Sequence, residues 1–350
     1  MKKKKHPAQV FSPKRLKKNL MGLIFVLICS LAFWVQDQHH EIKIPVDGKP
    51  VELYANQVDD NLTEIFRQAI DQAQKSILLI VYSFTDNKII NALKKQSQKG
   101  IDVKVICDAK ASPYIDSKLG DKIAVVRRFG PGLMHQKILV IDKEKVWLGS
   151  ANMTPDSLRM HGNLVTGIHN EKLAGCIHAK AETLKFEGRS THFPQENFWT
   201  GGQQTELWFL PDNQKAVPHL TSLIESARKT IRIAMFTWTR QDLAKAVIQA
   251  ANKGIDVQVV IDRSSGKGAS ANIFSLLKKN GVPVFLSSGA PLLHHKFLYI
   301  DGKTLVNGSA NWTKAAFTQN DDCFLVIHNL TEEQKKQMEA LWNVVWQESE

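Results

Sequence analysis

The sequence predicts an α/β protein in which one structural unit occurs twice, giving two homologous lobes behind an N-terminal hydrophobic segment. Three observations predict it: the chain repeats itself, each repeat alternates apolar runs with helix-period stretches, and the length suffices for two cores. With 350 residues, 43% apolar and 23% charged, the chain is neither disordered nor a small disulfide scaffold. Cys29, Cys107, Cys176 and Cys323 have no CxxC or metal-finger spacing, so a zinc site or disulfide framework has little support.

The first element is residues 1–36. Of the net charge of +12, eight units fall in residues 1–35, on Lys2 to Lys5, Lys14, Arg15, Lys17 and Lys18, and the body carries only +4. These cations precede Leu20 to Val35, 16 residues without a charge. A membrane span usually needs about 20 apolar residues and a signal-peptide core about 7–15, so anchor and signal peptide both stay open. Ser30 and Ala32 suit cleavage, whereas Trp34 suits an interfacial anchor, which is the preferred reading. Since Lys and Arg are retained in the cytoplasm, the body is expected on the extracytoplasmic side.

The next elements come in pairs. KSILLIVYSFT (Lys75 to Thr85) matches KTIRIAMFTWT (Lys229 to Thr239), and KGIDVKVICD (Lys99 to Asp108) matches KGIDVQVVID (Lys253 to Asp262), both at an offset of 154. From HQKILVID (His135 to Asp142) against HHKFLYID (His294 to Asp301), and GSANMT against GSANWT, the offset becomes 159. Two lobes, 41–195 and 196–350, follow, with five extra residues between Asp262 and His294. Apolar spacing predicts helices over Leu62–Gln74, Ile89–Gln98, His219–Ala227 and Leu243–Asn252. Continuous apolar runs predict buried strands over Ile77–Phe84 and Ile231–Trp238 and over the IDV segments. Strand, helix, strand in that order indicates a sheet covered on both faces.

Each half also carries His-x-Lys, then Asp, then Gly-Ser-x-Asn: His135, Lys137, Asp142, Ser150 and Asn152 in the first, His294, Lys296, Asp301, Ser309 and Asn311 in the second. Strand residues two apart share a face, so each pair presents an imidazole and an ammonium together. Brought together by a twofold axis, two His, two Lys and two Asn form a cradle for a tetrahedral anion. Phosphoryl transfer needs charge stabilisation, a nucleophile and a leaving-group acid. The lysines and asparagines suit the first task, with Ser150 and Ser309 as further phosphate-binding candidates, and the histidines suit the other two. No cofactor is called for: two ammonium groups neutralise the phosphate, and there is no HExxH or Asp-rich metal box.

This duplicated string resembles the signature of the phospholipase D superfamily, two HxKxxxxD motifs each followed by GSxN, over residue 51 to the C-terminus. The resemblance implies two phospholipase D-like α/β lobes related by a pseudo-twofold axis, a site at their interface, and a ping-pong reaction through a phosphohistidine. It places Asp142 and Asp301 with the catalytic residues, although their position at a strand end equally suits a turn-forming or Lys-orienting role. It also implies that His135 is the nucleophile and His294 the acid. Asp322, seven residues before Asn329, stands where the family holds a histidine-orienting carboxylate, while the matching position of the first half is Asn163; an Asp-oriented His294 would reverse the roles.

Family members act on phospholipids or on nucleic acids. The anchor and the apolar approach to each motif, Phe129, Leu133 and Met134 before His135 and Pro291, Leu292 and Leu293 before His294, favour a phospholipid membrane as partner. The alternative, an exported nuclease, rests on Arg127, Arg128, Lys267, Lys278 and Lys279 as a backbone-binding rim. No obligate protein partner is inferred.

Overall fold

The computed structural model describes residues 42–188, 191–289 and 291–350. The basic run and Leu20 to Val35 lie outside the described residues, and no helix among the described residues is long and apolar enough to cross a membrane.

Apolar, β-branched runs build two mixed sheets within the unit Ile44–Glu350. The first contains β1 (Glu52–Ala55), β2 (Ser76–Val81), β3 (Asp102–Asp108), β4 (Ala124–Arg128), β5 (Lys137–Ile141), β6 (Lys145–Gly149) and β7 (Leu164–His169), in the order β1-β7-β6-β5-β2-β3-β4. The second contains β8 (Glu196–Thr200), β9 (Gln203–Leu210), β10 (Thr230–Met235), β11 (Asp256–Ile261), β12 (Val284–Leu286), β13 (Lys296–Ile300), β14 (Thr304–Gly308) and β15 (Asp322–Ile327). Its order, read from β9, is β9-β15-β14-β13-β10-β11-β12, the connectivity of the first sheet with β8 added at the edge. Register repeats as well: Val81 stands opposite Lys137, and Met235 opposite Lys296.

The expected helices form as Leu62–Asp71, Asn87–Gln98, Ala216–Ser226 and Gln241–Asn252. Asn61 and Asp86 cap the first two, accepting backbone N–H bonds from Glu64 and from Lys88 and Ile89. The two expected strands end three residues early. Tyr82 to Phe84 and Phe236 to Trp238 leave the sheet because their backbone pairs with the segment after each GSxN, Phe84 with Met153 and Trp238 with Trp312. The extra residues of the second half enter the helix Ala271–Lys279, where the first half has only Ile115–Leu119.

One apolar cluster spans both sheets. Leu78, Ile80, Ile138 and Val140 of the first join Phe297, Tyr299, Leu325 and Ile327 of the second, together with Ile177 and Leu341 from the helices Glu171–Thr183 and Glu332–Gln347. Burying this continuous surface holds the sheets together. A second cluster packs the other face of the second sheet under its own helices through Ile231, Ile233, Leu220 and Val247.

Gly149 and Gly308 open the GSxN motifs for a packing reason. A Cβ on Gly308 would stand 2.4 Å from the Cys323 carbonyl oxygen and 2.6 Å from Phe324 Cα, and one on Gly149 would stand 2.3 Å from the Leu164 carbonyl oxygen. Gly308→Ala should therefore push β14 off β15 and cost about 2 kcal/mol or more of stability. A denaturant midpoint equal to that of the wild type would refute this account of the glycine.

Candidate active site

His135 and His294 stand just before β5 and β13, whose first residues are Lys137 and Lys296. Each lysine folds back on its own histidine, with Lys137 Nζ donating to the His135 carbonyl at 2.5 Å and Lys296 Nζ to the His294 carbonyl at 2.6 Å. The residues that leave β2 and β10 supply an aromatic edge. The Tyr82 ring lies 5.1 Å from that of His135 and 5.2 Å from Lys137 Nζ, while Phe236 lies 5.0 Å from His294 and 4.9 Å from Lys296 Nζ. The histidines are 6% and 7% exposed, the lysines 3%.

The lobes exchange the groups that orient these rings. The segment before each histidine is bridged to the segment entering the other lobe's strand: His135 N donates to the Asp321 carbonyl at 2.8 Å, Asp321 N to the Leu133 carbonyl at 2.9 Å, and Gly162 N to the Leu292 carbonyl at 2.9 Å. As a result His135 Nδ1 is 2.8 Å from Asp322 Oδ1, and His294 Nδ1 is 3.0 Å from Asn163 Oδ1. Asn163 Nδ2 donates to the Ser157 and His161 carbonyls, at 2.8 and 3.1 Å, which fixes the amide with its oxygen toward His294. Both imidazoles then carry hydrogen on Nδ1, and both present Nε2 to the site.

The expectation that Asp322 serves the histidine of its own half is corrected by this exchange: the carboxylate holds His135. Asn163, passed over for lacking a charge, is the counterpart on His294, and the repeat offset of 159 was the signal that marked it. The serines are also corrected. Ser309 Oγ donates to Asp322 Oδ1 at 2.7 Å and Ser150 Oγ to Asn163 Oδ1 at 2.8 Å, both fully buried, so they brace the orienting groups and do not reach a phosphate. Asn152 and Asn311 are half-buried, and their oxygens accept from Ser83 N at 3.4 Å and Thr237 N at 3.2 Å. Their Nδ2 groups have no partner among the described residues and stay available to an anion.

Asp142 and Asp301 are placed away from this chemistry. They follow the far ends of β5 and β13, about 16 Å along the strand from the lysines at 3.3 Å per residue. Both have left-handed backbone, φ 57° and 54°. The Asp142 carboxylate accepts the backbone N–H groups of Gln74, Lys75 and Ser76, and Asp301 those of Arg228, Lys229 and Thr230. Their catalytic assignment is thus corrected to a turn-forming one that ties the β5–β6 and β13–β14 turns to the starts of β2 and β10. Of the apolar approach, Met134 and Leu293 are core, while Phe129 and Leu133 are exposed. Arg128 leaves the basic rim, because it is buried in an ion pair with Asp321, Nε to Oδ2 at 3.0 Å.

The four basic groups repel one another in a dry site. Burial first, and then the charge of Lys137, lowers the His135 pKa; burial, Lys296, Lys137 and His135 lower that of His294 further. Burial pulls Lys137 down to about 7, against the attraction of Asp322, and burial and Lys137 hold Lys296 well below its ordinary value. For Asp322 burial acts upward, but His135, Lys137 and Ser309 outweigh it and keep the carboxyl ionised. The arrangement is an anion site that is short of negative charge when empty.

The family model described as cardiolipin synthase, PLD-like domain, matches residues 66–185 and 220–346. The chain is 24% identical over 324 residues to cardiolipin synthase B of Salmonella typhimurium, covering 81% of this chain and 78% of that one. It is 33% identical over 121 residues, 34% of this chain, to the mitochondrial cardiolipin hydrolase of Chlamydomonas reinhardtii, and spans 54% of that protein's length. A solved phosphatidylserine synthase of Haemophilus influenzae superposes with a TM-score of 0.69 at 14% identity, over 88% of each chain. That last likeness is one of fold.

Two outcomes are expected. Asp142→Ala should lower the melting temperature and leave kcat per folded molecule near that of the wild type; a collapse of kcat in folded protein would restore a catalytic role. Binding of an anion such as tungstate favours the charged lysines, so it should take up protons between pH 7 and 8 and weaken as pH rises. Calorimetry in buffers of differing ionisation enthalpy reads the uptake, and a value of zero would show the lysines already charged.

Proposed function

The chain belongs to the phospholipase D superfamily, in the family described as cardiolipin synthase, PLD-like domain, and from that membership and the paired histidines we propose that it hydrolyses or transfers phospholipid headgroups through a phosphohistidine. The observation that carries the reading is the unequal pairing of the imidazoles, a carboxylate on His135 and an amide on His294. Attack of the His135 Nε2 lone pair on phosphorus forms the N–P bond and leaves the ring cationic, since Nδ1 keeps its hydrogen. Asp322 is placed to stabilise that cation. The bond from phosphorus to the leaving oxygen breaks, and that oxygen takes a proton from His294 Nε2. The ring, neutral in the empty site, takes that proton up from solvent when the negatively charged diester binds and favours its cationic form; a ring hydrogen-bonded to a neutral amide is then the better acid of the two. In the second half-reaction water or an alcohol gives its proton to His294 and its oxygen to phosphorus, and the N–P electron pair returns to His135. Lys137, Lys296 and the Nδ2 groups of Asn152 and Asn311 hold the non-bridging oxygens.

A pseudo-twofold axis between the two sheets, supported by their common connectivity, brings the half-sites together. The phospholipid substrate is supported by the cardiolipin relatives and by the exposed Phe129 and Leu133 in the chain segment leading to His135. We place the body on the extracytoplasmic side of a membrane, anchored by Leu20 to Val35, on the charge distribution of the sequence. The nuclease alternative keeps Lys267, Lys278 and Lys279 but loses Arg128 to its ion pair.

His135→Ala and His294→Ala should each lower turnover of phospholipid vesicles by several orders of magnitude with the fold intact, and wild-type turnover should survive excess chelator. Acid-compatible quenching of His294→Asn should find phosphoryl label on His135. Label on His294 in His135→Asn, with none on His135, would reverse the roles. Rapid cleavage of single- or double-stranded DNA with inert vesicles would replace the substrate.

A further inference from the structure

Besides the pair that orients the imidazoles, and Tyr82 against Phe236 over the lysines, the two half-sites differ at the position of His161. At the repeat offset of 159, His161 corresponds to Asn320. The Asn320 side chain is buried and spent inside the protein, its Oδ1 accepting from Leu133 N at 3.0 Å and its Nδ2 donating to Asp322 Oδ2 at 3.4 Å. His161 is half-buried, and its ring is 6.3 Å from that of His294, tilted by 48°. No hydrogen bond joins the two rings, and the His161 ring nitrogens have no partner among the described residues.

The backbone of His161 is nevertheless held firmly. Its N–H donates to the Asp156 carbonyl at 2.9 Å, and its carbonyl accepts from Asn56 Nδ2 at 2.6 Å and from Asn163 Nδ2 at 3.1 Å. Thus the same Asn163 that orients His294 also holds the backbone that carries the His161 ring. Burial lowers the His161 pKa, with Asp156 opposing it, so the ring is neutral at pH 7 and offers one donor and one acceptor.

We infer that His161 is a specificity-determining residue that recognises the alcohol leaving or entering beside His294, by hydrogen-bonding a second hydroxyl carried by that alcohol. The inference rests on the proposed two-step reaction, in which His294 serves the oxygen of that alcohol. With no bond between the two rings, whose centroids are 6.3 Å apart, the space beside His294 takes two neighbouring oxygens, the reacting one on His294 and a second one on His161. A polyol, whose adjacent hydroxyl lies within hydrogen-bond distance of the reacting one, fits that space. A simple alcohol or water fills only half of it. Second-lobe Asn320, its counterpart on the His135 side, offers no such group, so discrimination resides on the acid side of the site.

The test is a partition experiment on the full chain with bis-p-nitrophenyl phosphate, a soluble diester that separates this inference from the lipid reading. Products of transfer to glycerol and to ethanol are compared with hydrolysis in the same reaction, so the ratios do not depend on the amount of active enzyme. In His161→Phe, which keeps the ring and uses only the backbone contacts, the glycerol-to-water ratio should fall about five-fold, the size of one neutral hydrogen bond, with the ethanol-to-water ratio unchanged. His161→Gln, which regains a donor and an acceptor, should recover part of the loss. An unchanged glycerol ratio in His161→Phe, an equal fall for ethanol, or a Gln variant no better than Phe would overturn the inference while leaving the two-step reaction standing. A wild type that transfers to neither alcohol would overturn the inference, and the absence of phosphoryl label on either histidine would take down the two-step reaction with it.

Discussion

Each histidine is oriented by a side chain from the other lobe, and the rest of the site depends on that exchange. Asp322 rises from β15 to His135, and Asn163 enters β7 beside His294. Neither lobe alone holds a complete half-site. The common apolar cluster between the sheets therefore underlies the site as well as the fold, because it sets the distance across which the orienting bonds form. The bridges from Met134 to Asp321 and from Leu293 to Gly162 do the fine adjustment, fixing the backbone immediately before each histidine against the backbone that carries its partner.

Symmetry of the backbone is combined with asymmetry of charge. Two carboxylates would raise both imidazoles alike, and two amides would leave a cationic phosphohistidine without a counter-charge. One of each pulls the two apart, which is how a pair of like groups takes opposite roles in acid–base chemistry. Ser309 and Ser150 make the same bond to these unlike partners, so the difference arises from a single change of side chain between equivalent strands.

Much of this was legible in the sequence, and the limits are physical. The repeat carried the strand order and the convergence of His135, Lys137, His294 and Lys296, since residues with like neighbours at like spacing fold alike. Strand ends were read three residues too long, because Tyr82 and Phe236 are as apolar as the strands they leave and only their long-range backbone partners draw them out. Asp142 and Asp301 share a motif with Lys137 and Lys296, but motif membership does not distinguish a residue that faces the site from one that ties a turn; the carboxylates accept backbone N–H groups about seventy residues away in sequence. The repeat marks Asn163 as the counterpart of Asp322, but which histidine each of them serves is not legible, because a partner exchanged between lobes leaves no sign within either one.

The empty site is costly, and that cost is directed at substrate. Two buried lysines and two histidines share the site with Asp322, with Asp108 acting on Lys137 and Asp262 on Lys296, and burial and mutual repulsion outweigh these carboxylates and lower the basic pKa values. A phosphodiester brings the missing negative charge, and a pentacoordinate phosphorane brings more, concentrated on the non-bridging oxygens. Attraction to the lysines therefore strengthens along the reaction coordinate, where catalysis requires it, and not only in the bound ground state. A ring of exposed ammonium groups would bind the same diester, but screened by water it would hold ground state and transition state almost alike. On the proposed mechanism, burial of Lys137 and Lys296 under Tyr82 and Phe236 is what would convert an anion site into a catalytic one.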